Sequence, residues 1–256
     1  MRNCAFHRAF ERIVLLVAVA LLGACTSAQT IAPELQDRPY LVLVSFDGFR
    51  WDYADTVDTP NMDRMARRGL KAKALKPVFP TVTFPNHYSI ATGVQPWRHG
   101  IVANDWIDAA TGAFVYNTED DRHHIIGREA KAHEGVSPRN LLASTISDEL
   151  VVHNGGRSRA FSVSVKDRGA ILPGGHVGKA FWFSKSTGEF VTSTYYYDDY
   201  PQWVKRWNAA KPADAYRNKS WELLNDRATY VHGQLDDRPY EADLKPLGRT
   251  FPHPLG

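Results

Sequence analysis

A short, continuous apolar run at residues 40–46, YLVLVSF, limits the possible folds more than any other segment. It is rich in Val and Leu and ends at Asp47-Gly48. An unalternating run of this length is typical of a strand in a parallel sheet that helices cover on both faces. We therefore expect an α/β fold in which Asp47 lies at the carboxyl end of a buried strand, where open α/β sheets place their ligand crevices.

Capping residues after this run predict two short helices. Thr59 and the following proline suit the start of a helix that ends at Gly69. Thr83 suits the N-cap of a second helix, which tolerates Pro85 in its first turn and ends at Gly93. A third helix is expected from a Ser-Pro start at residues 137–138 to the glycines at 155–156.

The later segments predict the rest of the core. Residues 159–165, RAFSVSV, indicate a strand, and a hairpin that turns at Thr187-Gly188 begins near residue 179. The predicted fold is α/β, with a mostly parallel sheet flanked by helices, and the family resemblance given below implies that this sheet is incomplete in this chain. The expected domains are a signal peptide at 1–24, a tether at 25–38, the first part of the α/β core at 39–178 and the start of an inserted cap at 179–256.

The N-terminus predicts export. Residues 1–25 begin with basic side chains and continue into an apolar run that is too short to span a bilayer comfortably. The run ends in Leu-Gly-Ala before Cys25, which resembles the site where bacterial lipoproteins are cut and acylated. We expect a periplasmic or outer-membrane lipoprotein held by a lipid on Cys25. An ordinary cleavage site nearby, with Cys25 discarded or left free, is the alternative.

Composition and charge exclude several classes. With 256 residues, 43% of them hydrophobic, the chain can bury a sizeable core. Its formal charge of +3 falls when the predicted signal, with three basic residues and one acidic residue, is removed. A charge so near balance argues against nucleic-acid binding through a general basic field. The oligomeric state cannot be predicted from the sequence.

Asp47 and Thr83 are the first candidates for chemistry. A carboxylate at the end of a buried strand needs a partner, and a metal ion would serve. A threonine hydroxyl attacks only when a base or a metal activates it. Taken alone, each of these residues is better explained by a capping role.

The segments SFDGFRWDY, KPVFPTVTFPNHYSIATG and HGIVANDW resemble the opening motifs of the nucleotide pyrophosphatase/phosphodiesterase branch of the alkaline phosphatase superfamily. That resemblance implies a hydrolase of small phosphate esters with two zinc ions. It implies that Asp47 is a zinc ligand, that Thr83 is both a ligand and the nucleophile, and that the Asn104 amide donates to a phosphate oxygen.

The later segments SPRNLLASTISDEL, SVSVKDRGAILPGGH and FWFSKSTGEFVTSTYYYDDYPQWVKRWN resemble the phosphate-irrepressible alkaline phosphatases of the same superfamily. These are monoesterases, and the resemblance implies phosphate-binding roles for Lys166 and Arg168. On the end of a strand, period two would place both cations on one face and turn Asp167 away. A monoester dianion gains more from two cations than a diester does.

Two observations keep other hypotheses open. Phe84 follows the candidate nucleophile and could stack on a nucleobase, which favours a phosphodiesterase. A solvated charged turn would also explain the lysine and arginine. Three histidine positions, His87, the pair His123-His124 and His176, are not expected to be metal ligands.

The remaining zinc ligands of the superfamily are not found. They include an adjacent Asp-His pair, which this sequence lacks. We interpret the chain as truncated or a fragment, so that it supplies ligands for only one zinc and binds metal weakly. The hypotheses are thus a threonine-dependent phosphomonoesterase, a type I phosphodiesterase or nucleotide pyrophosphatase, and a non-catalytic remnant.

Overall fold

The computed structural model describes residues 40–230 and 236–255. The predicted signal peptide, the tether and Cys25 lie outside these residues. The chain divides into two compact units, Met1–Ser45 and Phe46–Gly256, and all the elements below belong to the second. None of the helices in the described part of the chain combines the length and the apolar character needed to cross a membrane.

Within the described residues the helices are mostly short. Their bounds are α1 Tyr53–Thr56, α2 Pro60–Arg68, α3 Thr83–Thr92, α4 Pro96–His99, α5 Ile146–His153, α6 Asp167–Gly174 and α7 Gln202–Ala209. Two 3₁₀ helices, Pro212–Tyr216 and Arg227–Thr229, follow α7.

The strands form one three-stranded sheet and two antiparallel pairs. Their bounds are β1 Asp105–Ile107, β2 Phe114–Tyr116, β3 Phe161–Ser164, β4 Lys179–Ser184, β5 Glu189–Val191, β6 Lys219–Trp221 and β7 His253–Leu255. In the larger sheet β3 pairs parallel with β4, and β4 pairs antiparallel with β5. Strands β1 and β2 form one antiparallel pair, and β6 and β7 form the other.

The core lies where α6 packs on β3 and β4 and against α3. Phe84 and Tyr88 of α3 and Ile171 of α6 are buried there, together with Ala180 and Trp182 of β4. Helix α6 connects β3 to β4. Parallel strands need a crossover connection of this kind, which is usually an α-helix. This packing fixes the first turns of α3 and α6, which carry several of the candidate site residues.

Two predicted helices match closely. Helix α2 follows Thr59 and ends before Gly69, as expected. Helix α3 ends before Gly93, whose φ of 71° is the left-handed conformation that favours glycine at this position. The start of α3 differs by one residue, since Val82 is the N-cap and Thr83 is the first helical residue.

The prediction of a buried strand at residues 40–46 is wrong. These residues have no regular secondary structure in the described chain, and the side chains of Leu41 and Val44 are 61% and 62% exposed. A strand of this type is buried only when neighbours pair with both of its edges and helices cover its faces. Asp47 is consequently exposed and does not follow a strand.

Two other boundaries differ from expectation. The third predicted helix begins at Ile146 and not near residue 137, because Thr145 and Asp148 form a reciprocal capping box there. At residue 179 the sheet continues without a break, since β4 lies between β3 and β5. The division into core and cap therefore stays a prediction.

Candidate active site

Thr83 and Asp47 lie together at the start of α3. The Thr83 hydroxyl points at Asp47 Oδ2, with 3.4 Å between the two oxygens. This is long for a hydrogen bond between hydroxyl and carboxylate, which is typically about 2.5–3.0 Å. Because Thr83 is the first residue inside the helix and is not its N-cap, its hydroxyl is available for other chemistry.

The loop before Thr83 is held by the side chain of Asn86. The Asn86 Oδ1 accepts from Val78 N at 2.8 Å, and its Nδ2 donates to Pro80 O at 3.1 Å and to Val82 O at 2.9 Å. One amide thus satisfies three backbone groups of an irregular segment. The segment reaches Thr83 in a defined conformation.

Arg168 lies against the residue that follows Thr83. Its guanidinium carbon is 4.6 Å from the centroid of the Phe84 ring and 5.1 Å from that of the Tyr116 ring. Cation–π contacts of this kind contribute about 0.5–2 kcal/mol each. The Arg168 Nη1 donates to the Tyr116 hydroxyl at 2.8 Å, so the side chain is fixed between two aromatic rings.

Asp167 points into this group and not away from it, which corrects the expectation of period two. Strand β3 ends at Ser164, and Asp167 and Arg168 are the first two residues of α6. The carboxylate accepts the Tyr116 hydroxyl at 2.9 Å from each oxygen and the Arg168 backbone N–H at 2.8 Å. Lys166 is the N-cap of α6 and is exposed.

Asn104 reaches the same region through the β1–β2 pair. It directly precedes β1, its carbonyl accepts from Asn117 N at 3.4 Å, and its neighbour Asp105 pairs with Tyr116. The side-chain oxygen of Asn104 is buried and has no hydrogen-bond partner among the residues that the structure describes. A buried acceptor without a donor is costly, but a phosphate oxygen is itself an acceptor, so a role for Asn104 in binding phosphate would depend on its Nδ2 group.

Phe84 is not available to stack on a base, which corrects the interpretation that favoured a nucleotide ligand. Its side chain is only 2% exposed, and the Arg168 guanidinium covers its ring. Phe84 therefore supports a cation instead of binding an aromatic ligand.

His87 lies one turn after Thr83 and is half-buried. Burial lowers its pKa, while the charge of Asp47 opposes this shift and that of Lys166 adds to it.

The acidic and histidine-rich segment at residues 120–124 has a structural role. The Asp120 carboxylate is buried and accepts from Arg122 Nε and from Ser137 Oγ at 2.8 and 2.7 Å. Burial alone would raise the pKa of Asp120, but these hydrogen bonds bring it well below its ordinary value. Within residues 40–230 and 236–255, no group of three or more His, Cys, Asp or Glu side chains could hold a metal ion.

Comparison with known proteins defines the family. A family model described as type I phosphodiesterase / nucleotide pyrophosphatase matches residues 41–244. The chain belongs to this family. One relative of this chain is alkaline phosphatase PhoV of Synechococcus elongatus. The two are 38% identical over 233 residues, which cover 88% of this chain and 42% of the relative. Alkaline phosphatase PafA of Elizabethkingia meningoseptica is 35% identical over 246 residues, covering 93% and 44%.

Solved structures agree. The crystal structure of wild-type PafA matches with a TM-score of 0.73 and 36% identity, over 80% of this chain and 41% of that one. A PafA variant, with a TM-score of 0.66 and 30% identity, has a threonine, an asparagine, a lysine and an arginine replaced, at spacings of 21, 62 and 2 residues. The alkaline phosphatase-like α/β fold predicted from the sequence is thus confirmed, and the family hydrolyses phosphoric esters. This chain spans less than half the length of these two relatives.

Sequence reasoning missed Tyr116, Asp167 and Asn86 as parts of the site. The sequence does contain a signal for Asp167. It is an acidic residue at the start of a helix and lies between two cationic residues, so it is well placed to pair with its neighbours. Tyr116 carried none, because it meets Arg168 only through tertiary packing, 52 residues along the chain.

Proposed function

We propose that this chain carries part of the active site of a phosphate monoester hydrolase in which Thr83 is the nucleophile. Asp47 orients Thr83, and Asn104, Lys166 and Arg168 hold the phosphoryl group. The substrate is a small-molecule phosphate ester and not a nucleic acid. We assign the activity to the complete family fold. This chain provides the part of that fold that contains these residues.

The observation that carries the proposal is the grouping of Thr83 with Asp47 at the head of α3 while Arg168 lies against the adjacent Phe84. A nucleophile and a cation on neighbouring elements suit phosphoryl transfer, in which positioning and charge supply most of the catalysis. The replaced PafA residues give independent support. The proposed residues have the same order and spacings in this chain: Thr83, Asn104, Lys166 and Arg168.

The donors present fit part of a metal site. Two oxygens bound to one zinc at about 2.1 Å in tetrahedral geometry lie about 3.4 Å apart, the separation that Asp47 Oδ2 and Thr83 Oγ1 show. A catalytic zinc needs about three protein ligands and an open position, so this pair supplies only some of them. When bound, a divalent ion such as zinc would lower the pKa of the threonine hydroxyl and stabilise charge on the leaving oxygen.

The reaction proceeds in two displacements. The Thr83 oxygen forms a bond to phosphorus as the bond to the ester oxygen breaks, the hydroxyl proton passes to solvent, and the departing alcohol takes a proton from water. Water then attacks the phosphothreonine, the bond between phosphorus and Thr83 Oγ1 breaks, and the hydroxyl regains its proton. Inorganic phosphate leaves. Lys166 and Arg168 stabilise the non-bridging oxygens in both steps.

The burial of Phe84 favours monoesters over diesters. A diester needs room for a second organic group, and an exposed aromatic ring would help to hold a nucleotide. Here the ring is covered by Arg168, and the cation that covers it adds affinity for a dianion.

The second candidate is a type I phosphodiesterase or nucleotide pyrophosphatase. The family description favours it, since it names both activities. The two candidates share the nucleophile and the fold and differ in the lining that receives the second ester group.

The test compares p-nitrophenyl phosphate with its bis ester, with added zinc and with a chelator. We expect faster turnover of the monoester, its loss in the chelator and its loss in Thr83→Ala. Thr81→Ala is the matched control, because Thr81 is an exposed threonine two residues away, and it should keep activity. Faster turnover of the bis ester would favour the second candidate, and no turnover of either would favour a non-catalytic remnant.

We also propose export and lipid anchoring at Cys25. The support is the basic start and short apolar run that end at this cysteine. Labelling with a palmitate analogue in a bacterial host should mark the wild-type chain and not Cys25→Ser. Equal labelling of both would reject the lipid anchor.

A further inference from the structure

Tyr116 and Asp167 form a pair that no step of the proposed reaction uses directly. We propose that Tyr116 and Asp167 are positioning residues that lock Arg168, so that its Nε and Nη2 edge is presented to two phosphoryl oxygens. This inference rests on the proposed function for its substrate and on the contacts of Arg168 for its geometry.

The contacts hold Arg168 from three sides. The Tyr116 hydroxyl accepts from Arg168 Nη1 at 2.8 Å and donates to Asp167, 2.9 Å from either carboxylate oxygen. Asp167 also accepts the backbone N–H of Arg168 at 2.8 Å, and the Tyr88 hydroxyl donates to the Arg168 carbonyl at 2.8 Å. The guanidinium plane is further held by Phe84 and Tyr116. Backbone and side chain are therefore both restrained.

The edge left over is the one suited to a phosphate. A guanidinium donates along one side from Nε and Nη2 and along its end from Nη1 and Nη2. Tyr116 occupies Nη1, whereas Nε is buried and has no hydrogen-bond partner in the described part of the chain. A buried, charged N–H without a partner is costly, and a ligand oxygen would satisfy it. The free edge can thus make two parallel hydrogen bonds to one phosphoryl group.

Tyr116 remains a hydrogen-bond donor to Asp167 at any ordinary pH. Burial raises its pKa well above the usual value, and the charge of Asp167 raises it further, while Arg168 lowers it less. The hydroxyl therefore links the carboxylate and the guanidinium without adding a charge of its own.

Gly135 leaves the space that Asp167 needs. A Cβ at this position would lie 2.2 Å from Asp167 Oδ2 and 2.5 Å from Thr118 Oγ1. Contacts this short force an atom to move. Gly135→Ala should accordingly displace the Asp167 carboxylate while Tyr116 and Arg168 themselves stay unsubstituted, which provides a second way to disturb the pair.

The kinetic test uses Tyr116→Phe, which keeps the ring against Arg168 and removes only the hydroxyl. We expect kcat/KM for p-nitrophenyl phosphate to fall about tenfold to hundredfold, as for loss of a hydrogen bond to a charged group. The fall for the bis ester should be less than about threefold, because a diester gains less from a bidentate cation. Tyr195→Phe is the matched control, since its hydroxyl donates to the His176 carbonyl at 2.8 Å, among residues with no proposed role in catalysis.

A double-mutant cycle separates positioning from general stability. In the Arg168→Ala background, Tyr116→Phe should have no further effect on the monoester, because the group it positions is gone. An equal effect with and without Arg168, or equal losses for the two esters, would overturn the inference while leaving the proposed function intact. If Tyr116→Phe does not fold, Gly135→Ala replaces it in the same cycle.

A readout without turnover keeps the two proposals distinguishable. Nitrogen-15 relaxation of the Arg168 Nε–H group should show an ordered side chain in the wild type and a mobile one in Tyr116→Phe. If the Arg168 side chain shows this loss of order but the chain turns over neither ester, the proposed function is rejected and the positioning of Arg168 by Tyr116 is supported. Equal order in both chains would overturn the positioning, whatever the activity.

Discussion

Arg168 and Lys166, two residues apart, are held in different ways. Arg168 lies between two aromatic rings and has one nitrogen bound to Tyr116, whereas Lys166 is exposed at the start of α6. A fixed planar fork makes directed hydrogen bonds, while a flexible ammonium acts as a point charge. The two cations should therefore contribute unequally to phosphoryl transfer.

We predict that Arg168→Ala lowers kcat/KM for a monoester about a hundredfold and that Lys166→Ala lowers it about tenfold. Arg168→Lys should recover only a small part of the loss, since it restores charge but not the fork. Initial rates with p-nitrophenyl phosphate measure this. Lys185→Ala, at an exposed lysine in the β4–β5 turn, is the control and should leave the rate unchanged. Equal losses at positions 166 and 168 would contradict the prediction.

At the residue scale, the sequence predicts candidate site residues where a motif is local, and it does not reveal contacts that depend on packing. Asp47, Thr83 and Asn104 were named from motifs, and the structure brings the first two within 3.4 Å. The sequence suggested a nucleobase as the partner of Phe84, whereas the structure has Arg168 there. A sequence does not reveal which side chain covers an aromatic ring. Tyr116 was missed because its contact with Arg168 depends on how β2 meets α6.

The elements around the site are tied together by buried polar side chains. Asp148 of α5 accepts from the backbone N–H groups of His176 and Val177 at 2.7 and 2.9 Å, which joins α5 to the turn after α6. Burial alone would raise the pKa of Asp148, but hydrogen bonds from His176 and the backbone outweigh it and lower the pKa to about 2. The hydrogen bond to Asp148 in turn raises the pKa of His176.

This pair predicts how stability depends on pH. The Asp148 pKa is lowered from 3.8, so its contribution of about 2 kcal/mol is present above pH 4 and is lost as the pH falls towards 2. The His176 pKa is raised above 6.5, so its contribution is present below that pH and is lost as the pH rises through the raised value.

Urea unfolding at pH 3, 5.5 and 8 should accordingly show a larger free energy of unfolding at pH 5.5 than at either extreme. Asp148→Asn should flatten both slopes, whereas Asn at the exposed Asp198 should leave them unchanged. An unaltered pH dependence in Asp148→Asn would contradict the assignment.

The segment before Thr83 depends on one amide, so we predict that Asn86→Ala lowers kcat more than it lowers stability. Its three hydrogen bonds to the backbone of residues 78–82 fix the approach to the nucleophile. Their loss should cost about 1–2 kcal/mol of unfolding free energy and about tenfold in kcat. Asn61→Ala is the control, since that exposed side chain accepts from Arg64 within helix α2. A large loss of stability with unchanged kcat would contradict this role.

Elements with strong local signals were predicted from the sequence, and those that need partners were not. Helix α2 and the end of α3 followed from Pro and Gly positions, and the β4–β5 hairpin followed from its Thr-Gly turn. Residues 40–46 have the composition of a buried strand, but composition does not supply the neighbouring strands that burial requires. The predicted start of α5 at the Ser-Pro of residues 137–138 is wrong, because the capping box at Thr145 is the stronger signal for the start of a helix.

At the scale of the whole molecule, several large apolar side chains among the described residues are exposed. Leu41, Leu43 and Val44 are more than half exposed, and so are Phe161 and Val163 of β3. Exposed apolar segments and unpaired strand edges favour association between chains.

We therefore predict concentration-dependent self-association of the chain and strong binding of an apolar dye such as anilinonaphthalene sulfonate. Replacing Leu41 and Leu43 together with lysine should weaken both, at little cost in stability because these side chains are already exposed. Light scattering after size exclusion measures the association. Lysine at Leu224, which is 90% exposed, is the control for added charge, and an equal effect there would contradict the role of residues 40–46.

The measurement that tests the proposed chemistry most directly is the location of phosphate on the chain during turnover. The wild type is mixed with p-nitrophenyl phosphate and zinc, quenched in acid and digested, and the peptides are sequenced by mass spectrometry. We predict phosphate on Thr83, and none in Thr83→Ala. Release of p-nitrophenol without phosphate on Thr83, or with phosphate on Thr81 or Ser89 instead, would contradict the assignment of Thr83 as the nucleophile.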